Sequence, residues 1–188
     1  MDVDARLIAE AVEFAVEAHL GQVRHDGKTP YFNHLAEVAA RCARHEPFDP
    51  VLVAACYLHD TIEDTGVDEA LLRERFGDDV AELVRDVSDP PGLTGKQRRE
   101  RQVAHTADAS VRVKLLKIAD KTSNVAERVD LSDKKQSLKA MQRYLDWARA
   151  VVDVARGVDA QMEAAFDEQA ARLEAAIAKR AKKEKKKG

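Results

Sequence analysis

Cysteine is scarce in this chain, which carries only Cys42 and Cys56 among its 188 residues. Both lie inside apolar patterns and far from a CxxC spacing, so two buried thiols in a reducing cytosol fit better than a disulfide framework. Long apolar runs are also absent, since none approaches the roughly 20 residues that a membrane span needs. Residues 1–20 carry acids where a secretory signal has a basic start and an apolar stretch. The sequence therefore predicts a cytoplasmic protein without membrane contact.

The composition is that of a folded globular chain. Hydrophobic residues make up 45% and charged residues 35% of it, and the mean hydropathy is −0.45, which excludes a disordered or collagen-like chain. A chain of this length has room for one domain and a short appendage, and folding buries roughly 70% of its unfolded surface. We predict one domain over residues 1–157, followed by a terminal helix with a basic tail over residues 158–188.

Charge is distributed unevenly along the chain. The stretch from residue 179 to the end contains Glu184 as its one acid and these basic residues: Lys179, Arg180, Lys182, Lys183, Lys185, Lys186 and Lys187. The tail thus carries a formal charge of +6 and the rest of the chain about −9, because the total is −3. Two interpretations stay open for the tail, namely contact with nucleic acid and a solubilising helix end. The acidic body argues against nucleic-acid binding by the whole chain.

Apolar residues recur at intervals of three and four, which is the period of amphipathic helices. Ile8, Val12 and Ala15 share one helix face by this spacing, and similar patterns follow along the chain, whereas alternating strand patterns are absent. Turn residues separate the patterns, and Asp49 before Pro50 is predicted to cap a helix. The sequence therefore predicts an all-α domain, a bundle of about eight or nine helices.

The dipeptide His59-Asp60 is the first candidate for chemistry. It follows the apolar run AACYL (residues 54–58) without a break, so we expect this part of a helix to be buried. A buried, ionised aspartate is unfavourable unless its charge is compensated, and a metal ion is the strongest compensator. Glu63 and Asp64 follow one turn later on the same predicted helix. The alternatives are a pair that arose by chance and a merely solvated acidic helix end.

Two further positions complete a candidate metal site. His34 stands at the start of a helix, and Asp120 is an acid within an otherwise apolar helical register. With His59 and Asp60 they supply two imidazoles and two carboxylates from three helices. This mixed nitrogen and oxygen set suits a divalent ion such as Mn²⁺, Fe²⁺ or Zn²⁺. The order H…HD…D resembles that of the HD superfamily of metal-dependent phosphohydrolases.

Longer blocks of sequence make the resemblance narrower. Residues 24–34 (RHDGKTPYFNH), 59–65 (HDTIEDT) and 119–124 (ADKTSN) are similar to the hydrolase domain of RelA/SpoT proteins and to the metazoan SpoT homologue, a small alarmone hydrolase. A fourth block around Tyr144 matches as well. The four blocks occur in the order of the family and cover about residues 10–155.

The resemblance implies a metal and a reaction. In the family one ion, usually Mn²⁺, is held by residues that match His34, His59, Asp60 and Asp120. The 3′-pyrophosphate of guanosine alarmones is hydrolysed, giving GDP or GTP and pyrophosphate. The metazoan relatives also remove a phosphate from NADPH.

The resemblance also implies roles for further residues. Glu63 and Asp64 would orient or deprotonate the attacking water, Arg24 would contact the nucleotide, and Asn124 would hold the ribose or its 3′ oxygen. Positively charged side chains attract polyphosphates to an acidic body. The residues predicted to do so here are Arg24, Lys28, Lys117 and Lys121.

Some positions depart from the family pattern. His25 stands where lysine is usual, and Thr122 and Ser123 replace leucine and tyrosine, which removes a cation and an aromatic surface near the expected nucleotide. The substrate therefore stays open between an alarmone and NADPH or a nucleoside monophosphate, and a non-catalytic nucleotide-binding module is the alternative from another class. For Lys117 and Lys121, four residues apart on one helix, exposed surface charges are the alternative to substrate contacts.

Overall fold

The structure is a computed structural model that describes residues 3–131 and 136–186. Within these ranges the chain is all-α, as predicted, and its β-type pairing is limited to an isolated bridge between Val23 and Pro30. The ten helices of the described residues are α1 (Val3–Ala18), α2 (Phe32–Cys42), α3 (Pro50–Leu58), α4 (Thr61–Asp64), α5 (Glu69–Phe76), α6 (Asp78–Val87), α7 (Gly95–Asp108), α8 (Val111–Asp130), α9 (Leu138–Ala155) and α10 (Ala160–Lys185).

The helix that was expected to run through residues 59–64 is interrupted. α3 ends at Leu58 and α4 begins at Thr61, so the prediction of one continuous helix under the candidate site is wrong. Asp60 lies between them with φ −100° and ψ −1°. The Thr61 hydroxyl donates a hydrogen bond to the carbonyl oxygen of Leu58 (2.7 Å), and such side-chain bonds compete with the regular helical pattern. This break adds a helix to the expected number.

Capping side chains set where two of the helices that lead to the site begin. Asp49 accepts a hydrogen bond from the backbone N–H of Leu52 (3.1 Å), and Pro50 occupies the first position of α3, as predicted. Ser110 accepts a hydrogen bond from the backbone N–H of Val113 and starts α8 in the same way. Both helices therefore begin at a residue whose side chain satisfies a backbone donor.

The centre of the bundle is formed by α3. Its residues from Leu52 to Cys56 are at most 4% exposed, and the helix packs against α1, α2, α6 and α8. α2 and α8 also pack against each other. The start of α2, the end of α3 and the middle of α8 therefore meet inside the protein. Cys42 and Cys56 are both buried, and neither forms a disulfide, as the sequence predicts.

The terminal helix α10 packs against α8 and α9 through buried residues that include Phe166 and Leu173. The domain boundary after residue 157 and the contact of the basic tail with nucleic acid both stay predictions. Lys187 lies outside the described residues. No helix in the described ranges is both long enough and apolar enough to cross a membrane.

Candidate active site

Four of the predicted residues meet where α2, α3 and α8 converge. His34 Nε2 lies 3.4 Å from Asp120 Oδ1 and 3.6 Å from Asp60 Oδ2. His59 Nε2 lies 3.1 Å from Asp60 Oδ2 and 3.9 Å from Asp120 Oδ1. Ligand atoms of His34, His59 and Asp120 all lie within 4.8 Å of one another. The structure therefore brings all four predicted metal ligands to one place.

The two imidazoles present nitrogen atoms that lack a hydrogen-bond partner. His34 and His59 are 2% and 4% exposed, and the Nε2 atom of each is buried without a hydrogen bond. His59 Nδ1 lies 2.8 Å from the carbonyl oxygen of Cys56. Because a carbonyl only accepts, Nδ1 carries a proton, and Nε2 is the ring nitrogen that can offer a lone pair to a metal. A buried lone pair directed at two carboxylates is the arrangement that a metal-binding histidine needs.

The electrostatics of the cluster favour a cation. Burial opposes ionisation of Asp60, but the charges of His59 and His34 outweigh it and hold the pKa of Asp60 well below its ordinary value. Burial also opposes ionisation of Asp120, but Lys121 and His34 outweigh burial and lower the pKa of Asp120. Burial lowers the pKa of His34, but its contacts with Asp120 and Asp60 raise that pKa to about 9. With both carboxylates ionised, their negative charge is balanced either by a proton on His34 or by a divalent ion.

The donor set therefore fits a divalent metal. Two imidazole nitrogens and two carboxylate oxygens form a mixed set that suits Mn²⁺, Fe²⁺ or Zn²⁺. Tyr31 adds a contact that the sequence analysis did not assign to the metal site, because its hydroxyl donates a hydrogen bond to Asp60 Oδ2 (2.6 Å). The sequence contained one sign of this contact, because Tyr31 lies three residues before His34 in the matching block of residues 24–34.

Glu63 and Asp64 lie beside the cluster on α4. Glu63 Oε1 accepts the backbone N–H of Asp89 (2.7 Å), and its Oε2 lies 3.6 Å from Arg98. Burial, with the nearby charge of Asp60, raises the pKa of Glu63 even though the Asp89 N–H opposes the shift. Burial and the charge of Asp60 also raise the pKa of Asp64. Both carboxylates therefore accept a proton more readily than an exposed acid does.

Lys117 and Lys121 are buried, so the alternative of two exposed surface charges is wrong. They are 6% and 3% exposed. Lys121 Nζ lies 2.7 Å from Asp120 Oδ2 and 4.3 Å from the ring centroid of Trp147. Lys117 Nζ donates to the carbonyl oxygen of Val87 (2.6 Å), and burial, with the charge of Lys121, lowers the pKa of Lys117. Both ammonium groups therefore lie at the inner wall of the site.

The remaining predicted contact residues occupy different places. The Asn124 side-chain amide donates a hydrogen bond to Asp120 Oδ1, so Asn124 adjoins the metal cluster. Lys28 is exposed on the loop before α2. Arg24 is buried, and its guanidinium contacts Glu37 (3.2 Å) and Glu127 (3.3 Å). The structure therefore places Asn124 at the site, Lys28 on the exposed loop before α2, and Arg24 one layer behind the site.

A cationic cavity that the sequence analysis missed lies next to the metal cluster. Its walls include Tyr144 and Trp147, and three guanidinium groups supply the charge: Arg99, Arg128 and Arg143. Trp147 connects the cavity to the metal site because Lys121 contacts both its ring and Asp120. Arg128 lies over the ring of Tyr144, 3.4 Å from its centroid. The fourth matching block pointed to Tyr144, but the arginines come from three helices and have no common spacing.

This chain is similar to known proteins in both sequence and structure, and the similarities agree with one another. The profile of the HD domain family matches residues 11–149. The protein named guanosine-3′,5′-bis(diphosphate) 3′-pyrophosphohydrolase MESH1 in Xenopus tropicalis is 38% identical over 170 residues, covering 89% of this chain and 94% of the frog protein. The human protein of that name is 36% identical over 169 residues, covering 88% and 94%. A solved structure described as a metazoan orthologue of SpoT that hydrolyses ppGpp superposes with a TM-score of 0.83 at 32% identity, covering 90% of this chain and 94% of that one.

Proposed function

Because the chain belongs to the HD domain family, whose profile covers most of its length, we propose that it hydrolyses the 3′-pyrophosphate of guanosine tetra- and pentaphosphate. The products are GDP or GTP and pyrophosphate. The observation that carries the proposal is the pair of buried, unpartnered Nε2 atoms of His34 and His59 beside the carboxylates of Asp60 and Asp120. The relatives named as 3′-pyrophosphohydrolases, which match almost their whole length, support the reaction.

The metal proposed for this site is Mn²⁺, held by His34, His59, Asp60 and Asp120. A divalent ion there supplies Lewis acidity, which lowers the pKa of water and neutralises charge that develops on a phosphoryl oxygen. Tyr31 holds one oxygen of Asp60 through its hydroxyl. The side chain of Asn124 and the ammonium group of Lys121 contact Asp120. These contacts restrict the orientation of both carboxylates.

Glu63 and Asp64 are proposed to orient the attacking water and to accept its proton. Their pKa values are raised by burial, and a base works best when its pKa approaches the working pH. The backbone N–H of Asp89 fixes one oxygen of Glu63, and the other oxygen, 3.6 Å from Arg98, is proposed to contact the water. Lys117 and Lys121 are proposed to attract the phosphate groups from the inner wall of the site.

The nucleotide is proposed to extend into the cationic cavity, where guanidinium groups bind phosphates and aromatic rings stack on a base. Tyr144 and Trp147 supply aromatic surface there. Contacts of the nucleotide with Arg24 and Lys28 stay predictions. A contact with Arg24 requires that the nucleotide compete with Glu37 and Glu127, which already bind its guanidinium. Cytoplasmic location stays a prediction as well.

The direct test incubates the purified protein with guanosine 3′,5′-bis(diphosphate) and Mn²⁺ and quantifies GDP and pyrophosphate. We expect turnover by the wild-type protein and loss of turnover and of bound metal in Asp60→Ala. Asp108→Ala, which removes an exposed aspartate at the end of α7, is the matched control and should behave as wild type. Equal turnover by wild type and Asp60→Ala contradicts the proposal.

Parallel reactions with NADPH and nucleoside monophosphates decide the substrate. Phosphate release from either one, without pyrophosphate release from the alarmone, replaces the proposed substrate but retains the metal-dependent hydrolase. Tight nucleotide binding without turnover across all substrates and Mn²⁺, Fe²⁺ and Zn²⁺ identifies a binding module and contradicts the proposed reaction.

A further inference from the structure

Ser123, which departs from the family pattern, contacts a metal ligand. Its side chain is fully buried on α8, and its Oγ lies 2.9 Å from Nδ1 of His34. The same oxygen lies 2.6 Å from Oε2 of Glu37 and 3.2 Å from Nη1 of Arg24. Three polar groups from the loop before α2 and from α2 itself therefore meet at one hydroxyl of α8.

The protons in this cluster have one consistent assignment. A carboxylate oxygen only accepts, so the Ser123 hydroxyl donates its proton to Glu37. A guanidinium only donates, so Arg24 donates to the serine oxygen. The remaining lone pair of Ser123 then accepts from His34, which places the proton on His34 Nδ1. The other ring nitrogen, Nε2, lies 3.4 Å from Asp120 Oδ1 and is the atom left to bind a metal.

We propose that Ser123 and Glu37 act as a relay that holds His34 in the tautomer and ring orientation needed to bind the metal. His59 obtains the same result from a backbone carbonyl, that of Cys56 (2.8 Å). His34 depends instead on two side chains, because its Nδ1 points away from its own helix towards α8. Ser123 and Glu37 are thus positioning residues that act through His34, and the inference rests on the metal site of the proposed function.

Removal of either member of the relay has a defined consequence. Without the Ser123 hydroxyl, His34 Nδ1 loses its buried partner, and the ring is free to rotate or to change tautomer. Without the Glu37 carboxylate, the Ser123 hydroxyl is free to donate to Nδ1, which moves the ring proton to Nε2 and blocks that atom for a metal. Loss of a group that orients a metal-binding histidine weakens metal affinity about 10–100-fold.

The test measures Mn²⁺ affinity by calorimetry and, separately, the melting temperature of the metal-free protein. We expect Ser123→Ala to bind Mn²⁺ about 10–100-fold more weakly than wild type. The matched control is Thr122→Val, which removes the neighbouring buried hydroxyl of α8, one that donates to the carbonyl oxygen of Ile118 and not to His34. Thr122→Val should bind Mn²⁺ as wild type does. Metal-free Ser123→Ala should still unfold in one cooperative transition, with a melting temperature lowered by the loss of a buried hydrogen-bond partner.

A second pair of variants tests the proton assignment. Glu37→Ala should weaken Mn²⁺ binding by at least about tenfold, whereas Glu37→Gln, whose amide oxygen still accepts the serine proton, should stay close to wild type. Wild-type affinity in Ser123→Ala or in Glu37→Ala overturns the relay, as does an equal loss in Thr122→Val. If the wild-type protein itself binds no Mn²⁺, the metal site of the proposed function fails and the relay with it; normal wild-type binding with unaffected variants overturns the relay alone.

Discussion

His34 Nε2 and Asp120 Oδ1 lie 3.4 Å apart, although they belong to different helices far apart in the sequence. α2 and α8 pack directly against each other, so this distance depends on the core of the bundle. The second oxygen of Asp120 is 2.7 Å from Lys121 Nζ. One carboxylate therefore joins the metal site to the inner cationic wall, and changes at either side are expected to affect the other.

Glu63 is predicted to limit the rate at low pH. Glu63→Gln should lower kcat about 10²–10⁴-fold, the usual contribution of a general base, and leave Mn²⁺ affinity unchanged because Glu63 is not a predicted ligand. Burial raises the pKa of Glu63, so the basic form is lost as the pH falls through this raised value, and the wild-type rate should fall with it. The pH profile of kcat measures this, with exposed Glu74→Gln as the control. If kcat of Glu63→Gln falls at low pH in the same way as that of wild type, another residue is the base.

Arg143 is predicted to bind substrate phosphate. It is exposed on α9 at the rim of the cationic cavity, so Arg143→Ala should raise KM about fivefold with kcat little changed, because a screened ionic contact contributes on the order of 1 kcal/mol. The increase should shrink in high salt. Lys139→Ala removes an exposed charge of the same sign from α9 without touching the cavity and serves as the control. An unchanged KM for Arg143→Ala would place the phosphates outside this cavity.

Asp49 is predicted to stabilise the helix that leads to the metal site. It caps α3 and pairs with Arg112 (2.6 Å), so Asp49→Ala should lower the free energy of unfolding by about 0.5–2 kcal/mol. Asp49→Asn keeps a side-chain acceptor for the cap and should lose less. Urea denaturation measures both variants. A loss in Asp49→Asn as large as that in Asp49→Ala would assign the effect to the ion pair instead of the cap.

Glu127 is predicted to make stability depend on pH in the acidic range. Its side chain is 9% exposed and lies beside His25 and Arg24. Burial raises its pKa, but His25 and Arg24 outweigh burial and lower the pKa of Glu127 to about 2. A carboxylate with a lowered folded-state pKa stabilises the fold above its unfolded value of about 4.3 and loses this contribution as the pH falls towards 2.

Urea denaturation at several pH values measures this contribution. The difference in free energy of unfolding between wild type and Glu127→Gln should be largest near pH 6 and should shrink from about pH 4.3 downward. Exposed Glu10→Gln, on α1, is the control and should show no such trend. A difference that stays constant from pH 6 to pH 3 contradicts the assigned ionic role.

The all-α fold and the four candidate metal-binding residues were predictable because their signals are local. Periodic apolar residues predict helices, and an acid within an apolar register, as at Asp120, stands out in the sequence. The break after Leu58 was not predictable, because it depends on the backbone angles of Asp60 and on the Thr61 hydroxyl. A helical pattern gives no sign of either.

Contacts between helices were the other part beyond prediction. The burial of Lys117 depends on α6, because the Val87 carbonyl of that helix accepts a hydrogen bond from the Lys117 ammonium group. Ser123 was noted as a departure from the family, but its contact with His34 requires the packing of α2 on α8. Residue type and spacing show which groups are present, whereas the packing of the helices decides which of them meet.

The central claim is that His34, His59, Asp60 and Asp120 bind one divalent ion together. Anomalous diffraction from crystals grown with Mn²⁺ tests it most directly, because it locates the ion without reference to activity. The account predicts a single strong peak within bonding distance of Nε2 of both histidines and of an oxygen of each aspartate. A peak bound elsewhere, or one that two of these four side chains do not reach, would contradict it.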